Sequence, residues 1–154
     1  MASASPASIT TPPRGIYVPA VIFFHPDETI NFEATRTHLI RLATAQIDGL
    51  VIQGSNGEAM HLLHSERAEI LKLAREVLDT HGKKGAVIVA GCGAQSTRET
   101  IMLCEQAAEV GADYALVLSP SFWCKFLSLH RKTPLKVPRE RKRGILTKNS
   151  NGNA

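Results

Sequence analysis

The strongest chemical signal in this 154-residue chain is the segment Gly54-Ser55-Asn56-Gly57-Glu58-Ala59. Two glycines three apart let a backbone turn tightly and aim its N–H groups outward, and Ser55 and Asn56 add polar side chains between them. Such a nest suits a small anion, either a carboxylate or a phosphate. The same spacing also describes an ordinary strand-to-helix turn built on left-handed glycines, so its meaning depends on the surrounding elements.

Other combinations are weaker. Gly91 to Ser96 (GCGAQS) follows an apolar run and precedes a helix start, as a dinucleotide fingerprint does. Ser96 replaces the third glycine, however, and Ser119 stands where the next strand would end in an acid. His61 and His64 have no third ligand nearby, so no metal site is expected. Cys92, Cys104 and Cys124 are odd in number and form no paired motif. That usage predicts no disulfide framework and fits a reducing compartment, with the cytoplasm as the expected location. No cofactor motif is present, and no apolar run approaches the roughly 20 residues of a membrane helix.

The positioning elements are regular up to Trp123. Gly15 opens a β-branched and aromatic run, GIYVPAVIFF, that predicts a strand, followed by the turn HPDET and a helix over 31–45 with Phe32, Leu39 and Ala43 on one face. GLVIQ (49–53) predicts the second strand. Ser65 is the expected cap of a helix striped with Ile70, Leu71, Ala74, Val77 and Leu78. Val87 to Ala90 is the third strand, Ser96 to Glu99 a capping box for the third helix, and Tyr114 to Leu118 the fourth strand. Strands apolar throughout indicate burial on both faces, hence a parallel sheet covered by helices. The order β-α-β-α-β-α-β fits both an open doubly wound sheet and the first half of a (β/α)8 barrel.

Charge marks a boundary. Residues 1–123 carry nine Lys and Arg against thirteen carboxylates, whereas 124–154 carry nine against Glu140 alone. The net charge of +4 therefore describes no single domain and does not argue for a nucleic-acid partner. The organisation expected is a disordered lead-in at 1–14, an α/β domain at 15–123 and a basic, low-structure tail at 124–154. The cluster Arg139, Arg141, Lys142 and Arg143 reads as solvated charge before it reads as a nucleic-acid patch, since no aromatic residues interleave it. A shifted reading frame or retained intron after Trp123 would produce the same abrupt change.

Taken in order, GIYVPAVIFF, GLVIQGSNGEAMHLLHSER, VIVAGCGAQSTRET and GADYALVLSPSFW resemble the N-terminal half of the dihydrodipicolinate synthase / N-acetylneuraminate lyase family, over about residues 15–123. Ser-Asn in place of the usual Thr-Thr is most similar to the 4-hydroxy-2-oxoglutarate aldolase branch. The resemblance implies the first half of a (β/α)8 TIM barrel, assembly as dimers or tetramers, and class I aldol chemistry on pyruvate or a related 2-oxo acid. It further implies that Ser55 and Asn56 hold the pyruvate carboxylate while Gly54, Gly57 and Glu58 shape the loop. In that chemistry a lysine on a later strand attacks the 2-oxo carbon and the resulting imine serves as an electron sink.

The lysines do not supply that amine. Lys72 lies on a helix, Lys83 and Lys84 on a turn entering a strand, and the rest in the tail, where no run reads as a barrel strand. The family's tyrosine after the fourth strand is also replaced, by Ser119-Pro120-Ser121-Phe122. The expectation is a truncated Schiff-base aldolase, inactive alone, with no catalytic residue of its own. The alternatives are a non-catalytic half-barrel that associates with full-length subunits, or a basic-tail nucleic-acid binder.

Overall fold

A computed structural model describes residues 11–119 and the strand Gly144–Lys148. Strands β1 (Tyr17–Pro19), β2 (Gly49–Ile52), β3 (Val87–Gly91) and β4 (Tyr114–Leu118) alternate with helices α1 (Phe32–Ala43), α2 (His64–Thr80) and α3 (Thr97–Glu109). The strands form one parallel sheet in which each pairs with the next in sequence. A doubly wound sheet reverses its strand order at a switch point, whereas a barrel adds each strand beside the last. The sequential order therefore selects the first half of a (β/α)8 barrel from the two architectures left open above.

Local signals explain where the helices begin. The Asn31 side chain accepts the Ala34 N–H at 2.9 Å, and Ser96 Oγ accepts the Glu99 N–H at 3.1 Å, each satisfying a donor that a helix start leaves free. α2 differs from expectation. It opens at His64, ahead of Ser65, because the Glu66 carboxylate reaches back to the Leu63 N–H at 2.7 Å and fixes the first turn one residue earlier. The first strand is also shorter than its apolar run. After Pro19, Ala20 N–H still bonds Val51 O at 3.0 Å, and the chain then turns into an antiparallel bridge between Phe24 and Ile30.

The helices cover one face of the sheet. Leu39 and Ala43 of α1, Ile70, Ala74, Val77 and Leu78 of α2, and Leu103 and Ala107 of α3 pack with Leu50, Ile52, Ile88, Ala90 and Ala115. Each fully buried Leu or Ile contributes about 2 kcal/mol through apolar area removed from water, so this face holds the layers together. On the opposite face Val51 and Leu116 are half-buried and Leu118 is 47% exposed, which leaves it only partly covered by described residues.

At the amino-terminal end of the sheet, Arg75 of α2 reaches three backbone segments. It donates to Ala86 O at 3.0 Å, Gly111 O at 3.0 Å and the Asp113 carboxylate at 2.6 Å. Asp113 also accepts the Ile88 N–H at 2.9 Å. Residues 11–14, assigned to the lead-in above, run beneath this end, where Tyr17 donates to Pro13 O at 2.6 Å.

The tail departs from the reading of the sequence at one place. Gly144–Lys148, expected to hold no strand, forms β5 and pairs in parallel with β4, from Tyr114↔Gly144 to Leu118↔Lys148. An open parallel edge presents unpaired N–H and C=O groups, and backbone pairing can recruit a short segment whose composition alone gives little strand signal. The rest of the tail, including the basic cluster, lies outside the described residues, as do residues 1–10 and 120–123.

Candidate functional site

The loops that leave β1, β2 and β3 gather at the carboxyl end of the sheet, the end at which barrels bind their ligands. The loop after β2 is the most constrained. Gln53 ends the strand with φ +60°, Ser55–Gly57 makes one tight helical turn, and Glu58 takes φ +49° before Ala59–His61 makes a second. The left-handed positions are thus Gln53 and Glu58, whereas Gly54 has φ −78°. Gly57 serves close packing instead. A side chain at Gly57 would meet Ala20 O at 3.2 Å, so the loop lies directly against the chain leaving β1.

Two consecutive turns close on themselves through Gly57 N–H to Gly54 O at 3.1 Å and Glu58 N–H to Ser55 O at 3.2 Å. Ser55 and Asn56 are left at the exposed tip, and neither side chain hydrogen-bonds to another described residue. Non-glycine residues in the left-handed region cost about 1 kcal/mol or more each and persist where surrounding contacts hold them. Here the holding contacts are visible beneath the loop.

Those contacts centre on two buried polar side chains, Gln53 and Arg67, exposed by 2% and 5%. Gln53 Nε2 donates to Arg67 O on α2. The Arg67 guanidinium donates to Ala59 O at 2.6 Å and, more weakly, to Gly91 O at 3.5 Å. It thereby spans from the loop after β2 to the end of β3. Burial pushes the Arg67 pKa down, with the nearby Cys92 and Glu99 acting in the opposite sense. Neither residue was singled out from the sequence. The available signal was a charged residue on an apolar stripe, since Arg67 precedes Ile70 and Leu71 by three and four positions on the buried face of α2.

The GCGAQS segment has a packing explanation. A side chain on Gly91 would overlap the Gln53 carbonyl, and one on Gly93 would meet Leu118 N at 3.2 Å, so both glycines permit adjacent strand ends to approach. Cys92 is buried under α3, and its hydrogen bond with Cys104, followed by burial, pushes its thiol pKa up. His64 is the first residue of α2 and lies 3.0 Å from the Glu99 carboxylate. Among the described residues no cluster of His, Cys, Asp and Glu could hold a metal ion.

The described lysines separate by the end of the sheet they occupy. Lys72 is on the exposed side of α2, and Lys83 and Lys84 lie between α2 and β3, at the amino-terminal end. Lys148 is the last residue of β5, which places it at the carboxyl end by register with Leu118.

The class of protein follows from this sequential parallel sheet with a strained loop after its second strand: one half of a (β/α)8 barrel. Residues 12–128 match the model of the dihydrodipicolinate synthetase family, and the chain belongs to that family. It is 45% identical over 114 residues to "Probable 4-hydroxy-2-oxoglutarate aldolase, mitochondrial" of Emericella nidulans, covering 74% of this chain and 37% of that protein. It is 43% identical over 115 residues to L-threo-3-deoxy-hexylosonate aldolase of Aspergillus niger, covering 73% and 34%. The dihydrodipicolinate synthase of Acinetobacter baumannii, solved with pyruvate, superposes with a TM-score of 0.63 at 31% identity, covering 70% of this chain and 36% of that one. The chain thus spans about a third of the length of the curated relatives it matches. No helix among the described residues is long and apolar enough to cross a membrane.

Proposed function

We propose that residues 15–123 are the 2-oxo-acid-binding half of a Schiff-base aldolase or lyase, with Ser55 and Asn56 holding the carboxylate of pyruvate or a related acid. Gly54, Gly57 and Glu58 shape the loop around it. The observation that carries this reading is the Gln53–Glu58 turn, whose two left-handed residues leave Ser55 and Asn56 exposed at the carboxyl end of β2 without partners among the described residues. A carboxylate seated there gains charge-assisted hydrogen bonds that offset its loss of water. The family membership and the pyruvate complex of a relative support the choice of ligand.

The imine step requires a neutral amine at the carboxyl end of a strand. It adds to the 2-oxo carbon, expels the oxygen as water and leaves a protonated imine that accepts the electron pair of the breaking bond. Among the described residues Lys72, Lys83 and Lys84 stand away from that end, and in this reading the chain binds the 2-oxo acid without completing the chemistry alone. Incubation with pyruvate and borohydride is expected to leave the mass unchanged. The backbone of β5 ends with Lys148 in register with Leu118 at the carboxyl end, which favours a second reading in which the chain carries its own imine-forming lysine. A reduced adduct mapped to Lys148 would establish that reading and end the claim of inactivity.

The free thiols Cys92 and Cys104 support a reducing compartment, here the cytoplasm. Fractionation of cells expressing the tagged chain tests that location against the mitochondrial one named for the Emericella nidulans relative.

A further inference from the structure

We propose that Arg67 is the positioning residue of the carboxylate loop, clamping Ala59 to the end of β3 and lending its charge to the anion that Ser55 and Asn56 receive. The inference rests on the carboxylate reading above for the ligand, and on geometry alone for the clamp.

A buried guanidinium ordinarily faces a carboxylate, because an unpaired charge in the interior is costly. Among the described residues no carboxylate lies within ion-pair distance of Arg67, whose partners are the carbonyls of Ala59 and Gly91. Glu99, the nearest acid by its electrostatic influence, is itself engaged with His64 at 3.0 Å. Carbonyl dipoles satisfy the N–H groups of an arginine and leave its full charge in place. The site therefore holds positive charge beneath a loop whose exposed tip residues, Ser55 and Asn56, are neutral and whose one carboxylate is that of Glu58, two positions further on.

The geometry also explains why arginine is needed. Its planar fork can donate to two carbonyls on different elements at once, whereas a lysine ammonium offers a point charge on a flexible stem. Ala59 is the residue after the strained Glu58, so its carbonyl is where a single hydrogen bond restrains the loop best. From the other side, Gln53 fixes the α2 backbone at Arg67 itself, so strand end, helix and loop are tied in one circuit.

The test uses the full chain, with Arg67→Lys and Arg67→Gln variants checked for folding by near-ultraviolet circular dichroism. Two probes are titrated, pyruvate and its uncharged methyl ester, and amide hydrogen exchange is followed over 54–62. Loss of the fork in both variants is expected to speed exchange at Gly57, Glu58, His61 and Leu62 on the order of tenfold. Loss of charge in Arg67→Gln is expected to weaken pyruvate roughly tenfold more than the ester. Equal weakening of both probes would overturn the electrostatic role, and unchanged loop exchange would overturn the clamp. If the wild-type chain binds neither probe, the carboxylate reading and the charge role resting on it both fail, while exchange still decides the clamp. Should both variants unfold, the wild-type chain decides. A clamped guanidinium gives separate, slowly exchanging Nη proton signals for Arg67, and a single averaged signal would sink the proposal.

Discussion

Gly91 and Gln53 sit so close across β2 and β3 that any side chain at residue 91 would overlap the Gln53 carbonyl. The contact is backbone against Cβ, with no flexible side-chain end to move aside. Gly91→Ala is therefore expected to destabilise the chain by about 3 kcal/mol, the upper range for overpacking, as measured by urea denaturation. An unchanged midpoint would show that the strand ends separate freely.

Glu58 holds φ +49° between two tight turns. A β-branched replacement suits that region worst, so Glu58→Val should cost about 1–2 kcal/mol, whereas Glu58→Gly should change stability by less than about 1 kcal/mol. Pyruvate titration should show the valine variant weakened more strongly, because its loop departs from the geometry that presents Ser55 and Asn56. Equal effects of the two substitutions in denaturation would contradict the strain at this residue.

Ser55→Ala and Asn56→Ala remove the proposed carboxylate partners from exposed positions, where little packing is lost. Each should weaken pyruvate binding by roughly tenfold while shifting the melting temperature by only a degree or two. Calorimetric titration beside a thermal scan separates the two effects, and a fall in melting temperature without loss of affinity would remove these residues from the site.

Asp113 accepts from both Arg75 and the Ile88 N–H, joining α2, β3 and the entry to β4. Asp113→Ala removes the acceptor of the Ile88 amide and, among the described residues, the one carboxylate partner of Arg75, which keeps only the Ala86 and Gly111 carbonyls, an expected cost of about 2–3 kcal/mol. Asp113→Asn, which keeps one acceptor oxygen, should recover part of that loss in the same denaturation experiment.

His38 packs edge-on to Phe23 with ring centroids 5.6 Å apart, and burial followed by the charge of Arg41 holds its pKa below the usual 6.5. A histidine depressed in the folded state binds more protons when unfolded, so its stability contribution is present above about pH 6.5 and is lost as pH falls below that value. An NMR titration should place His38 below 6.5, and His38→Phe should flatten the stability profile between pH 5 and 7. A profile unchanged by the substitution would show that His38 titrates as a free side chain.

The alternation of short apolar strands with striped helices was legible in the chain itself, because the 3.6-residue and extended periods are written locally. So were the cap Ser96, the residues Ser55 and Asn56 as a polar pair between glycines, and the resemblance those motifs support. Strand order was not legible, since periodicity records which face is buried and not which neighbour pairs. The sequential pairing through β4, and the recruitment of Gly144–Lys148 by its open edge, are properties of backbone hydrogen bonding between segments far apart in the chain. Tertiary contact likewise assigned the left-handed turns to Gln53 and Glu58 instead of the glycines, and drew Arg67 under the loop. Sequence spacing constrains neighbours within a few residues. The clamp at Arg67 joins Ala59 to Gly91, and only the packing of α2 against β2 and β3 could bring those carbonyls within reach of one side chain.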